Sequence, residues 1–453
     1  MNRLLVFAVA IALAMQGFAQ TVGVQSVVRE ISQTGQINTQ KIISVNQDTV
    51  IILSQTTNGE FEFYLVGENA SNVDVAEIPA NFEVKDLKVL GGLIYFCGQV
   101  TQNNQVNGFV ARARIADLFK YSNFKWDTIQ NSKSIDKIEV YYYESQFVYI
   151  VGIGVDNNGK SLFVHCDEYA NWNYYIYQSP YADEIFDDII LKDTVVMYPI
   201  TNLKYVITVG RRNNEKDIVV RTYYKYNISN TSEHVYHLFA NNDELAPYPL
   251  HADSLHYKWI AIAGIIEDVS GNDEKTTAFF VDIAATPSFY MYQTQSFGSY
   301  NKGDADIRDI MYSEIDTTLL IVENIPMTSF ISPVNSISVV DARPYLIPPP
   351  SQVDVFYSDI NGDNYPFNSI TELLPYQFIT AGINPNNQQI NIWRGDRSNL
   401  NGNCNYLTSE GVNVRTTELF YDIYPVSGQY IDKLVWRTEP ITNISSPINI
   451  NCQ

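Results

Sequence analysis

Apolar runs of strand length alternate with short polar turns along most of the chain. The stretch "LIYFCGQVTQNNQVNGFVARARI", 93–115, shows the unit: an apolar run ending in Cys97-Gly98, a polar loop, then a second apolar run opened by Gly108-Phe109. It returns as "FVYIVGIGVDNNGKSLFVHCDEY", 147–169, with Gly152 in the place of Gly98 and Phe163 in that of Phe109. Looser copies are "KYVITVGRRNNEKDIVVRTYY" from 204, "KWIAIAGIIEDVSGNDEKTTAFFVDI" from 258 and "YQFITAGINPNNQQINIWRGD" from 376. An apolar run, a glycine, a turn rich in Asn, Asp and Gly, and a β-branched or aromatic run together predict a β-hairpin.

The flanks repeat as well. Before several hairpins stands a short strand with an internal acid, "VKDLKV", "IDKIEV" and "IRDIMY", which sets Asp86, Asp136 and Asp309 at matching positions and gives them a shared hydrogen-bonding role. After them comes an aromatic strand such as "NFKWDTI" (123–129) or "WNYYIYQ" (172–178). The glycines lie 54, 58, 54 and then 118 residues apart, the last interval being two units. Degenerate copies at 41–67, with Ser54, and at 317–341, with Glu323, bring the number to about seven. Four antiparallel strands at this period predict an all-β fold, a β-propeller of about seven four-stranded blades, because a lone four-stranded sheet cannot cover both its faces. The aromatic fourth strand is expected at the outer edge, and the N-terminal strand 22–31 is expected to complete the last blade and close the ring. The propeller then spans 20–400, with 401–453 as a C-terminal β tail or cap.

At the level of architecture, residues 35–400 resemble secreted bacterial β-propellers. The units carry no Trp-Asp ending, no kelch glycine pair and no sialidase-type Asp box, so the resemblance implies a fold and carries over no active site.

The start of the chain fits export. Arg3, the apolar run Leu4 to Met15 and the small residues Gly17 and Ala19 read as a secretory signal peptide, 1–19, giving an exported protein that is periplasmic, cell-surface or extracellular. No later run has the length of a transmembrane helix. With 29 Lys+Arg against 50 Asp+Glu, a formal charge of -21, the surface repels phosphate backbones, which excludes nucleic acid as a partner. Among the four cysteines, Cys404 and Cys452 are the expected disulfide, tying the tail to the body, whereas Cys97 and Cys166 lie in apolar runs that suit buried thiols equally well.

Chemistry is sparse. In "DINGDNYPFNSI", Asp359, Asn361 and Asp363 have the alternate spacing of a calcium loop, but Asn364 replaces its glycine and Ile370 its closing carboxylate; Ca2+ is the one cofactor the sequence suggests. His234 and His237 are three apart on a strand and point to opposite faces, and His165 adjoins Cys166 with the same consequence. No nucleophile elbow or phosphate loop occurs. The loop aromatics Tyr300, Tyr365 and Trp393 are the candidate ligand-binding residues. The leading expectation is a non-enzymatic propeller that binds a protein or glycan through one ring face. The alternative is a carbohydrate-active enzyme, a glycoside hydrolase or lyase, whose carboxylates converge at the central channel.

Overall fold

The computed structural model describes residues 27–452 other than 34, 68–71, 144–145, 180, 198–199, 213–216, 226, 238–242, 246–247, 256–258, 269–273, 284–288, 295–305, 314–316, 326–333, 342–351, 361–362, 365–366, 375–376, 385, 397–404, 416–418 and 423–428. The chain is a β-propeller. Among the described residues six units are four-stranded antiparallel meanders, 36–77, 82–129, 132–178, 185–237, 251–294 and 306–360, called units I to VI below. The last unit, 369–396, adds three strands of its own. The count is therefore six four-stranded blades and not seven. Val27–Ile31 lies antiparallel along the outer strand Gln389–Asp396, with Val28 opposite Trp393.

The first strand of each unit is the innermost. Successive first strands lie side by side, several of them hydrogen-bonded, and Ile42 N–H of unit I donates to Ser369 Oγ of the three-stranded unit at 3.1 Å. Faces between units are filled by alternate side chains of the facing sheets. At the face between units I and II, Phe82 meets Phe109, Phe124 and Trp126 of its own unit II edge-on at 4.8–5.4 Å, and Phe63 of unit I meets Phe96 of unit II at 5.2 Å. Between units II and III, Cys97 and Cys166 are buried free thiols in one apolar cluster with Tyr174 and Trp172. Burial pushes both thiols up, which suits packing rather than reactivity.

A β-bulge in the first strand sets the register. The pairing slips between Val84 and Asp86, between Ile135 and Lys137, between Phe186 and Asp188 and between Ile307 and Asp309. Just before the slip, the second strand passes so close that a Cβ on Gly98, Gly154 or Gly210 would stand 1.8–2.1 Å from the carbonyl oxygen of Glu83, Ser134 or Ile185. The counterpart of Gly98 is thus Gly154, not Gly152, and the three glycines recur at an even interval of 56 residues. In unit I the same place holds Ser54, whose hydroxyl donates to the Asn38 carbonyl at 3.0 Å.

The aromatic fourth strand is not the rim. Strands of the tail add outside it, unit after unit, in the reverse of chain order. Asn405–Arg415 pairs with the outer strands of both V and VI, Leu419–Asp422 with IV, Gln429–Lys433 with III, and Arg437–Pro440 with II. Thr442–Cys452 then runs from the outer strand of unit I onto Val27–Ile31. An open blade edge exposes unpaired N–H and C=O groups, and this belt covers them.

Candidate functional site

The bulge turns the residue that follows it toward the ring axis. In units I, II, III, IV and VI that residue is Lys41, Asp86, Lys137, Asp188 and Asp309. The hydrogen bonds between neighbours identify the remaining members. Asp86 Oδ2 accepts Ile138 N–H at 3.0 Å, the amide just after Lys137. Asp188 Oδ2 accepts Ala252 N–H at 2.8 Å, just after His251, and Asp309 Oδ2 accepts Ile370 N–H at 3.1 Å, just after Ser369. From unit I onward the axis is therefore ringed by Lys41, Asp86, Lys137, Asp188, His251 and Asp309, and the sequence of charges ends at Ser369.

This ring alternates base and acid. Lys41 reaches Asp309 at 3.1 Å, while Lys137 stands 3.7 Å from Asp188, beyond hydrogen-bond reach. A layer above, Lys88 bonds Glu139 at 2.5 Å, and Asp253 Oδ2 accepts Tyr312 N–H at 2.7 Å. Burial alone would raise Asp309, but Lys41, His251 and the Ser369 hydroxyl overcome it and hold the carboxyl at about 2. Burial likewise works to lower Lys137, and Asp188, Asp86 and Asp309 more than offset it. Burial holds His251 down to about 4, with Lys137 opposing protonation further, and pushes Asp253 up to about 6.

The second feature is one face of the ring. In an antiparallel meander, the connections after the first and third strands of a unit lie at one end. In units II and III these are 91–92, 115–122, 144–146 and 168–172. Tyr121, Tyr142 and Tyr169 stand at this end, 62%, 41% and 65% exposed. Tyr121 follows the single-turn helix Ile115–Lys120, and Lys120 Nζ lies 5.7 Å from its ring. Tyr169 rides on a tight loop in which Asp167 Oδ1 accepts Ala170 N–H at 3.1 Å and Trp172 N–H donates to Asp167 O at 2.7 Å. The belt braces that loop from outside: the Arg112 guanidinium lies 4.7 Å from Trp172 and 4.5 Å from Trp436. Of the other exposed aliphatic residues, Ile37, Val106 and Ile185 belong to the opposite end, and Val435 and Ile444 to the belt.

The residues singled out by sequence fare differently. Trp393, expected in a loop, stands in strand Gln389–Asp396, 4% exposed, stacked on Phe367 at 5.2 Å and edge-on to Phe378. Tyr300 and Tyr365 lie outside the described residues, as do Asn361 and Cys404. Asp359 lies near the end of the outer strand of unit VI, Gln352–Ile360, opposite Asn364 of the two-residue strand Asp363–Asn364. Cys452 ends the belt opposite Val28. Asp136, grouped with Asp86 and Asp309 by spacing, occupies the bulge itself and bonds Lys85 at 2.7 Å, so Lys137 is the true counterpart. Of the adjacent acids Asp187 and Asp188, only the second faces the axis. Asp187 is buried against Arg211, with bonds of 2.6 and 2.9 Å. His165 is a core residue between Tyr149 and Tyr175. Sequence reasoning missed Tyr121, Tyr142, Tyr169, Asp188 and His251. Tyr169 had a local signal in "CDEYANW", an aromatic set among polar and small residues.

No protein-family model matches the chain, and no curated protein matches it in sequence.

Proposed function

We propose that the chain is an exported, non-enzymatic binding protein that recognises its ligand through the ring face bearing Tyr121, Tyr142 and Tyr169, with Val27–Ile31 completing the three-stranded unit and closing the ring. The observation that carries this reading is the gathering of three exposed tyrosines on rigid supports at one end of two adjacent units. Of the two ligand classes, a glycan fits better than a protein. Among the described residues, the exposed large apolar side chains in these loops of units II and III are tyrosines, set among polar groups, whereas the core of a protein interface is usually more continuously apolar. Flat rings with a polar tip suit the faces of sugar rings. A chain of charge -21 also favours neutral or cationic polymers over acidic ones.

The enzyme reading has the converging carboxylates in its favour. Against it stands their engagement: Asp86, Asp188, Asp253 and Asp309 each accept a backbone amide of the next unit. A general acid and its partner need freedom to take and give protons across a substrate. The test is an array of neutral polysaccharides probed with the full chain and with a Tyr121→Ala/Tyr169→Ala variant. Binding lost by about tenfold or more in the variant, at unchanged circular dichroism, supports the ring face. Equal binding by both would refute it, and hydrolysis of any polysaccharide by the full chain would restore the enzyme.

A further inference from the structure

The axial ring breaks its own alternation at one place. Lys41 and Lys137 each stand beside acids, but the position between Asp188 and Asp309 holds His251 instead of a third lysine. That His251 lies on the axis follows from the groups that act on it: Lys41 of unit I, Lys137 of unit III, Asp188 of unit IV and Asp309 of unit VI, four units that meet only there. It is 9% exposed, and its Nδ1 is buried without a hydrogen-bond partner among the described residues. A buried polar atom left unpaired is costly, and native structures generally supply a partner. The imidazole is neutral at ordinary pH, since burial opposes its charging and Lys137 adds to that opposition. The ring then holds two ammonium groups, three carboxylates and one uncharged base, an excess of one negative charge.

We propose that the central channel binds a primary ammonium group at His251, which donates one hydrogen bond to Nδ1 and another to the Asp188 carboxylate. Asp188 has room for it. Its Oδ1 accepts Ile189 N–H at 2.9 Å and its Oδ2 accepts Ala252 N–H, while Lys137 is too far to bond, so among the described residues two of the four lone-pair directions of the carboxylate are unused. Asp309 is already filled by Lys41, Ser369, Ile370 and Ile310, and contributes charge alone. A metal ion is the poorer fit, because among the described residues no three His, Cys, Asp or Glu side chains converge closely enough to ligate one. An ammonium group asks less: two acceptors and a negative surround. The ligand class is a small primary alkylamine, slender enough to lie along the axis. This site is independent of the tyrosine face.

The experiment is a titration of the full chain with n-butylammonium chloride, followed at the His251 imidazole nitrogens by NMR, with tetramethylammonium and potassium chlorides at equal ionic strength. Saturable movement of Nδ1 at millimolar butylammonium, absent with the two salts, is the expected result. In calorimetry, Asp188→Asn weakens binding about tenfold or more, the scale of a lost hydrogen bond to a charged group. His251→Lys places the missing ammonium covalently; it folds with an unfolding midpoint at or above that of the parent and binds no butylamine. The proposal is overturned if Nδ1 does not respond, if potassium or tetramethylammonium moves it equally, or if His251→Lys binds the amine as the parent does. Should either variant fail to fold, the titration of the parent decides.

Discussion

Asp86 and Ile138 belong to neighbouring units and are joined by one hydrogen bond, the Ile138 amide donating to Asp86 Oδ2 at 3.0 Å across 52 residues of chain. The same kind of bond recurs from Asp188 to Ala252, from Asp253 to Tyr312 and from Asp309 to Ile370, so the inner strands of II and III, IV and V, V and VI, and VI and the three-stranded unit are latched carboxylate to amide. Such a latch fixes both the spacing and the height of adjacent blades.

Asp86→Ala leaves the Ile138 amide buried and unpaired, and lowers stability by about 1–3 kcal/mol. Asp86→Asn retains an acceptor oxygen and loses less. Urea unfolding of the two variants should rank them in that order. If alanine and asparagine cost the same, the amide bond is not what Asp86 provides.

Gly98 and Gly154 are held closer to the first strand than Gly152 is. A Cβ at Gly98 would meet the Glu83 carbonyl oxygen at 1.8 Å, and one at Gly154 the Ser134 oxygen at 2.1 Å, whereas at Gly152 its closest neighbours are Ile135 Cγ2 at 2.9 Å and the Lys137 oxygen at 3.0 Å. Gly98→Ala and Gly154→Ala force two backbones apart and should each cost at least about 2 kcal/mol, with Gly152→Ala clearly milder. Thermal midpoints of the three variants provide the comparison.

Stability should pass through a maximum on the acid side of neutrality. Burial raises Asp187 and Asp253 to about 6 and moves Glu62, Glu139 and Glu184 upward. Each of these binds its proton in the folded chain before the unfolded one, so stability rises as pH falls through about 6 toward 4. His165 and His251, held down to about 4, bind theirs first in the unfolded chain and oppose that rise between about 6.5 and 4. Below about 4, Asp309, held at about 2, reverses the trend as the unfolded aspartate takes up a proton that the folded one refuses. His165→Phe removes one opposing group and should steepen the gain between about pH 6.5 and 4. A pH series of urea midpoints on both proteins checks the sign.

The belt can be tested one amide at a time. Ile444 and Ser445 pair with Val75 and Asp74 of the unit I outer strand, and successive amides of a strand point to opposite sides. Proline at the position whose N–H faces unit I should cost about 3 kcal/mol, and proline at its neighbour much less. The destabilised variant should also self-associate, because an uncovered blade edge accepts strands from other molecules. Light scattering against concentration reads this.

The hairpins were legible because their contacts are local: Gly98 and Phe109 face each other across one turn, and apolar alternation reports that directly. The bulge was not. One extra residue shifts every later side chain to the other face, so Asp136 matched Asp86 in spacing while Lys137 matched it in space. The axial ring was therefore hidden even though most of its neighbours had been noticed. Trp393 misled for a related reason, since "NIWRGD" reads as the end of a strand and the register of its pairing keeps the indole inside. The pairing of the belt left no local trace, because that of Glu439 with Phe124 or Tyr421 with His234 depends on a partner 315 or 187 residues earlier.

Because the belt runs opposite to the order of the units, it gives the molecule a mechanical direction. A pull on Cys452 loads the strand beside Val28 first and then the one beside unit I, and only when these have peeled does tension reach units II, III and IV in turn. Each step breaks a handful of backbone bonds in sequence rather than all at once, so the C-terminal end yields at low force through a staircase of short extensions. A pull between two interior units meets the latches and packed faces in parallel and is resisted together. A molecule tethered by its last residues would pay out length while its blades, and the tyrosines they carry, stay assembled.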